Sequence, residues 1–164
     1  MSMAAKLRIE SYEGTAGKIV LARIMRHTDL VSGVIAICRK HGLKMAAIEI
    51  AIGSLISASL SWTRASEKTL RGSERTPIVQ IDGPLEFIAG QGFVCLCDKK
   101  PVVHLHGSLC DGEGRVWAGH FFEGGNPVHS TMDVWVQELC GVRMDWVHDD
   151  EIDLELPVPR PDPS

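Results

Sequence analysis

Residues 102–120 read VVHLHGSLCDGEGRVWAGH, and the bend at Gly112-Glu113-Gly114 decides how the second half of the chain is built. The flanking runs, 101–110 and 115–123, carry the apolar and β-branched residues of strands. A three-residue loop with Gly114 in the left-handed position makes a type I turn with a G1 bulge. In that register Asp111 faces Arg115 and His106 faces His120. Opposed residues share one face of a sheet. His104, two residues before His106, lies on the same face with its Cα about 6.5–7 Å away. A two- or four-residue loop would set Leu105 opposite His120 and turn that imidazole to the other side. By itself a His-x-His pair is also an ordinary polar strand face. The reading of His104, His106 and His120 as a metal site therefore depends on one turn.

Working outward, turn signals cut residues 77–139 into strands at 78–82, 85–97, 101–110, 115–123 and 128–139. The signals are Asp82-Gly83-Pro84, Asp98-Lys99-Lys100, the glycine bend, and Gly124-Gly125-Asn126-Pro127. Upstream, Ile19–Met25 reads as a strand. A helix follows, with Thr28 as N-cap and Asp29 in its first turn. Leu30, Val31, Val34, Ile35, Ile37 and Cys38 recur at helical spacing, and Gly42 ends it. Met45–Ile52 is apolar, Gly53 marks a bulge, and Ser57, Ser59 and Ser61 alternate with Ala58, Leu60 and Trp62 as in a half-buried strand. Residues 64–76 are charged and read as a loop. The expected fold class is α+β, a mostly antiparallel sheet with one main helix packed on it. Residues 1–17 form an N-terminal segment, 18–148 the domain, and 149–164 an acidic, proline-rich extended tail.

The composition sets bounds on function. With 164 residues, 45% hydrophobic and 23% charged, the chain suits one globular domain. The net charge of −4, with scattered Lys and Arg, disfavours a surface built to track phosphates. The five cysteines are odd in number and lack a Cys-x-x-Cys pair, so free thiols in a reducing cytoplasm are expected. Met1–Lys6 leads into charged residues rather than an apolar leader, and no apolar run reaches the roughly 20 residues of a membrane helix.

Three neutral imidazoles leave a fourth position on a tetrahedral ion for water or a ligand, the pattern of catalytic zinc, with iron, nickel, manganese and copper as alternatives. Glu86 is an acid in an apolar strand, open to readings as a partner of the site, a general base, or a surface residue. Cys110 shares the histidines' parity and reads as a distant ligand, a nucleophile, or a buried structural thiol. His27, His41, His129 and His148 are expected to lie outside the site. No phosphate-binding loop and no Gly-x-Ser-x-Gly nucleophile motif occurs.

Several pieces together resemble the plants-and-prokaryotes-conserved (PPC) domain. They are Asp29-Leu30 with the Gly42 helix end, Ile52-Gly53-Ser54, Gly83-x-Leu85-Glu86-Phe87-Ile88, His104-Leu105-His106, Asp111-x-x-Gly114-Arg115-Val116 and Gly119-His120. The resemblance covers about residues 18–140. It implies an antiparallel sheet beside a helix, assembly as a homotrimer, and a metal unit made by the three histidines. It also carries a customary expectation of DNA binding, which in plant members goes with AT-hook segments. Pro157-Val158-Pro159-Arg160-Pro161 has no Arg-Gly-Arg core, and its surroundings are acidic. Three roles stay open at this stage: a trimeric metal-binding ligand or regulatory module, a metal-dependent hydrolase or lyase on a small molecule, and a DNA-associated regulator.

Overall fold

The computed structural model describes residues 7–162. The expected lack of an apolar leader falls on Met1–Lys6, which, like the last two residues of the tail, lies outside the described residues. The elements in chain order are β1 (Thr15–Met25), α1 (Leu30–His41), β2 (Ala46–Ser61), β3 (Thr63–Ala65), β4 (Ser73–Arg75), β5 (Val79–Cys97), β6 (Lys100–Cys110), β7 (Val116–Phe121), β8 (Val128–Cys140), β9 (Val142–Asp149) and β10 (Leu154–Pro161).

The helix shows how local chemistry and long-range contacts share the work. Its N-cap is Asp29, not Thr28: the Asp29 carboxylate accepts from Ser32 N–H at 2.9 Å. Both residue types cap helices well, at about 1 kcal/mol. Asp29 wins because its second oxygen also accepts from Asn126 N–H at 2.8 Å, tying the helix start to the loop before β8. Gly42, at φ 69°, ends the helix as expected, and Leu43 N–H bonds back to the Cys38 carbonyl. Leu30, Val31, Val34 and Cys38 face inward and pack on the sheet with Val20, Ile24, Ile48 and Val136. Each large apolar side chain so buried contributes about 1.5–3 kcal/mol.

Eight strands form one mixed, largely antiparallel sheet in the order β1-β8-β2-β7-β6-β5-β9-β10. The exception to antiparallel order is β9 beside β5, where Leu96 opposes Asp145 in parallel. Strand β2 pairs with β5 along one edge and with β8 and then β7 along the other. Since β5 leads to β6 and β6 to β7, the sheet closes on itself at Leu60↔Phe121 and Ser61↔His120. Phe87 and Phe121 meet edge to face in the core, ring centroids 5.1 Å apart. With one twelve-residue helix the fold is mostly β, so the α+β expectation holds only as a sheet with a helix packed on it.

Three other expectations change. Asp82-Gly83-Pro84 is not a turn: β5 runs through it, with one extra residue between the pairs Ser57↔Asp82 and Leu55↔Leu85. That is a bulge, which uses the same glycine and proline chemistry as a turn without reversing the chain. Residues 64–76 contain a small hairpin, β3 with β4, rather than a bare loop. The tail is extended but not free, because Leu154–Pro161 pairs with β9. Asp162 N–H bonds to the Gly141 carbonyl in the same register, so even-numbered residues of β10 turn their N–H groups toward β9. Pro157, Pro159 and Pro161 fall on the outward positions. There their missing N–H groups cost the ladder nothing and leave an edge unsuited to further pairing.

Candidate metal centre

The glycine bend has the geometry read from the sequence. Gly114 sits at φ 79°, Gly114 N–H bonds to the Asp111 carbonyl at 2.9 Å, and Asp111 N–H to the Arg115 carbonyl at 3.1 Å. The Asp111 side chain fixes the bend further by accepting from the Glu113 and Arg115 N–H groups. The resulting register places Cys110 opposite Val116 and His106 opposite His120.

His104, His106 and His120 converge. Their rings are 4.8–5.3 Å apart between centroids, and one nitrogen from each lies within 4.8 Å of the others. Ligands at about 2.0–2.1 Å on a tetrahedral ion stand about 3.4 Å apart, so the rings need close by at most about 1.4 Å. His120 is buried, His104 half-buried and His106 exposed. Nδ1 of His104 and Nδ1 of His120 are buried with no hydrogen-bond partner among the described residues. Orphaned polar atoms of this kind are uncommon in folded proteins. Such a donor set fits a metal ion among the rings. Three neutral nitrogen donors with no carboxylate suit zinc and its first-row neighbours rather than magnesium or calcium.

The electrostatics agree. Burial pushes His120 down to about 3, and the charge of Arg75 and the neighbouring His104 and His106 push the same way. His104 is lowered to about 4 by burial, then by His106 and Arg75. His106 is lowered by burial and by Arg75. At neutral pH all three rings are therefore in the unprotonated form that binds metals.

The other residues singled out in the sequence fall elsewhere. Glu86 opposes Cys110 and is exposed. Cys110 is four residues beyond His106 on β6, about 13 Å along the strand, so neither joins the site. All five cysteines are free thiols. His27 and His41 are exposed, His129 contacts Ser130, and His148 lies near Asp150 and Asp153.

A cleft of about 280 Å³ opens beside His120, lined by Arg75, Val102, Phe122, Glu123, Trp146 and Glu155 among others. The Trp146 ring is 5.4 Å from His104 and the Phe122 ring 4.8 Å from His120. Sequence reasoning passed over these residues. Phe122 was within reach, since it lies two residues past His120 and shares its face. Arg75 and Glu155 belong to segments read as loop and tail, and Trp146 to the end of the domain, where no strand was expected.

Comparison with known proteins places this geometry in context. The description "Plants and Prokaryotes Conserved (PCC) domain" matches residues 11–140. A metal-containing protein of Archaeoglobus fulgidus shares the fold at TM-score 0.74 and 26% identity, over 92% of this chain and 99% of that one. A plant- and prokaryote-conserved protein of Pyrococcus horikoshii matches at TM-score 0.72 and 24% identity, over 92% and 99%. A candidate DNA-binding protein of Ralstonia eutropha matches at TM-score 0.66 and 18% identity, over 84% and 89%. The last two likenesses concern the fold alone. No curated protein sequence matches the chain significantly.

Proposed function

Because the chain belongs to the Plants and Prokaryotes Conserved domain family, we propose that it is a trimeric metal-binding module whose His104, His106 and His120 hold one divalent ion, zinc by preference, with an open position for a small ligand. The observation that carries this reading is the convergence of three unprotonated imidazoles, two of them with buried nitrogens that lack partners. The likeness to a metal-containing protein supports it. An ion held there would act as a Lewis acid toward whatever occupies the open position. The protein's own part is to fix the three rings by one turn register, to keep them unprotonated by burial, and to wall the position with Phe122 and Trp146.

The trimer draws support from the outer face of the sheet. Leu21, Trp135 and Ile50 stand side by side across β1, β8 and β2, with Ile52 one step on. Leu21 is 75% exposed and Ile52 48% exposed. Trp135 Nε1 is buried without a partner among the described residues. An apolar strip on a monomer's surface with an unpaired donor at its centre suits a self-association surface. Among the described residues no helix is long and apolar enough to cross a membrane.

Metal-dependent hydrolysis or elimination is a second reading, favoured by Glu123 and Glu155 on the same cleft. Glu86 is too remote to serve it as base. DNA is a weaker candidate partner at a net charge of −4. Titrating zinc into the metal-free protein against a chromophoric chelator tests the main reading. Stoichiometric uptake that is lost in H120A supports it, and uptake unchanged in H120A overturns it. Light scattering tests the assembly: a mass three times that of the 17.9 kDa chain is expected, and a monomer at micromolar concentration refutes the trimer. Retardation of duplex DNA at low salt that vanishes at moderate salt would move the DNA reading ahead, and esters turned over only by the metal-loaded protein would do so for the enzyme.

A further inference from the structure

Among the described residues, the guanidinium of Arg75 beside the histidines has no anionic partner. Strand β2 ends with Ser61 opposite His120, and the β3–β4 hairpin rises directly from that point. Its base is stapled by Thr76 N–H to the Trp62 carbonyl at 2.8 Å and Trp62 N–H to Thr76 Oγ1 at 3.2 Å. Near its tip, Arg71 donates to the Ile152 and Asp153 carbonyls at 3.0 and 2.7 Å, in the turn before β10. Held at both ends, the hairpin sets Arg75 over the Phe122 ring, 5.7 Å from its centroid, and Phe122 in turn packs on His120. Arg64, on the facing strand, donates through two nitrogens to Glu74. Arg75 has no hydrogen bond or ion pair among the described residues.

We propose that Arg75 is the anion-recognising residue of the histidine centre, and that the cleft takes a small monocarboxylate with a flat apolar body, its carboxylate lying between the guanidinium and the three imidazoles. The inference rests on the reading of the trio as a metal site. A guanidinium fixed near a divalent ion is repelled by it, and an anion between the two removes that cost. Guanidinium groups match carboxylates with paired donors. Much of the wall is apolar: Val31, Val102, Phe122 and Trp146 offer flat or branched surfaces. Glu123 and Glu155 also line the cleft, Glu123 donated to by Ser32 Oγ at 2.8 Å. Their negative charge opposes a doubly charged ion and so favours a monocarboxylate over phosphate. The volume of about 280 Å³ stands at the small end of ligand sites, which suits a molecule of benzoate size.

The test uses the full chain loaded with cobalt(II), whose visible bands report the ligands of a three-nitrogen site. Benzoate is expected to shift the bands saturably, R75A to weaken it by about 10- to 100-fold, and R75K to fall between. Cobalt stoichiometry and thermal melting of each variant show that the site and fold are intact. Equal benzoate affinity in wild type and R75A, or inorganic phosphate bound more tightly than benzoate, overturns the inference. A chain that takes up no cobalt overturns the metal reading separately. Calorimetric titration of benzoate into that metal-free protein then still reads Arg75, and no difference between wild type and R75A overturns the inference there too.

Discussion

Acidifying the metal-free protein from pH 7 to pH 5 is expected to destabilise it through His120 and His104, and His120 can be isolated by substitution. The folded chain holds this ring unprotonated down to about 3, by burial first and then by Arg75, His104 and His106. The unfolded chain binds a proton near 6.5. Between these values the unfolded state carries the extra proton, so stability rises with pH and is lost as pH falls from about 6.5. At about 1.4 kcal/mol per pH unit, His120 accounts for about 2 kcal/mol between pH 7 and pH 5. His104, lowered to about 4, also stays unprotonated across this range and adds a loss of the same sign and similar size. The assay is urea unfolding with a chelator present, at both pH values, for wild type and H120L. The leucine cannot titrate, so its loss on acidification is expected to be about 2 kcal/mol smaller. Equal losses in the two proteins would show that His120 is not held unprotonated by its surroundings, and the electrostatic account of the site would fail.

Three further outcomes follow from the packing. Asn126 is fully buried, its side chain accepting from Ser59 N–H and donating to the Phe122 carbonyl. N126A strands both groups at a cost of roughly 3 kcal/mol, read as a melting temperature about 6–12 °C lower. A Cβ at Gly92 would meet the His104 carbonyl oxygen at 1.9 Å, whereas one at Gly114 meets nothing within 4 Å. G92A is therefore expected to part β5 from β6 and abolish zinc uptake, while G114A costs about 1–2 kcal/mol for its left-handed backbone and keeps the metal. Zinc uptake retained in G92A would contradict this. Finally, L21E with I52E charges the outer face and is expected to give monomers by light scattering with an unchanged circular dichroism spectrum, and an unchanged mass would place the contact elsewhere.

The histidine trio was legible because its geometry is local. Gly114 names one turn, the turn fixes one register, and the register decides which face His120 takes. The helix was legible for the same reason, apart from its first residue. Asp29 displaced Thr28 through a bond to Asn126, 97 residues away, which spacing does not show. The β3–β4 hairpin was hidden because three-residue strands carry no periodicity. The tail misled because alternate prolines signal interruption, whereas on an edge strand they remove only outward N–H groups. Those two misread segments carry Arg75 and Glu155, so the chemistry of the cleft was out of reach while the clustering of the three histidines was not.

The most direct measurement is the metal content of protein purified without an affinity tag or added metal, beside a His104→Ala, His106→Ala double variant. About one divalent ion per chain in the wild type and almost none in the variant is the expected result. Equal content in the two proteins, or a wild type free of metal that refuses zinc on titration, would contradict the assignment of the three imidazoles.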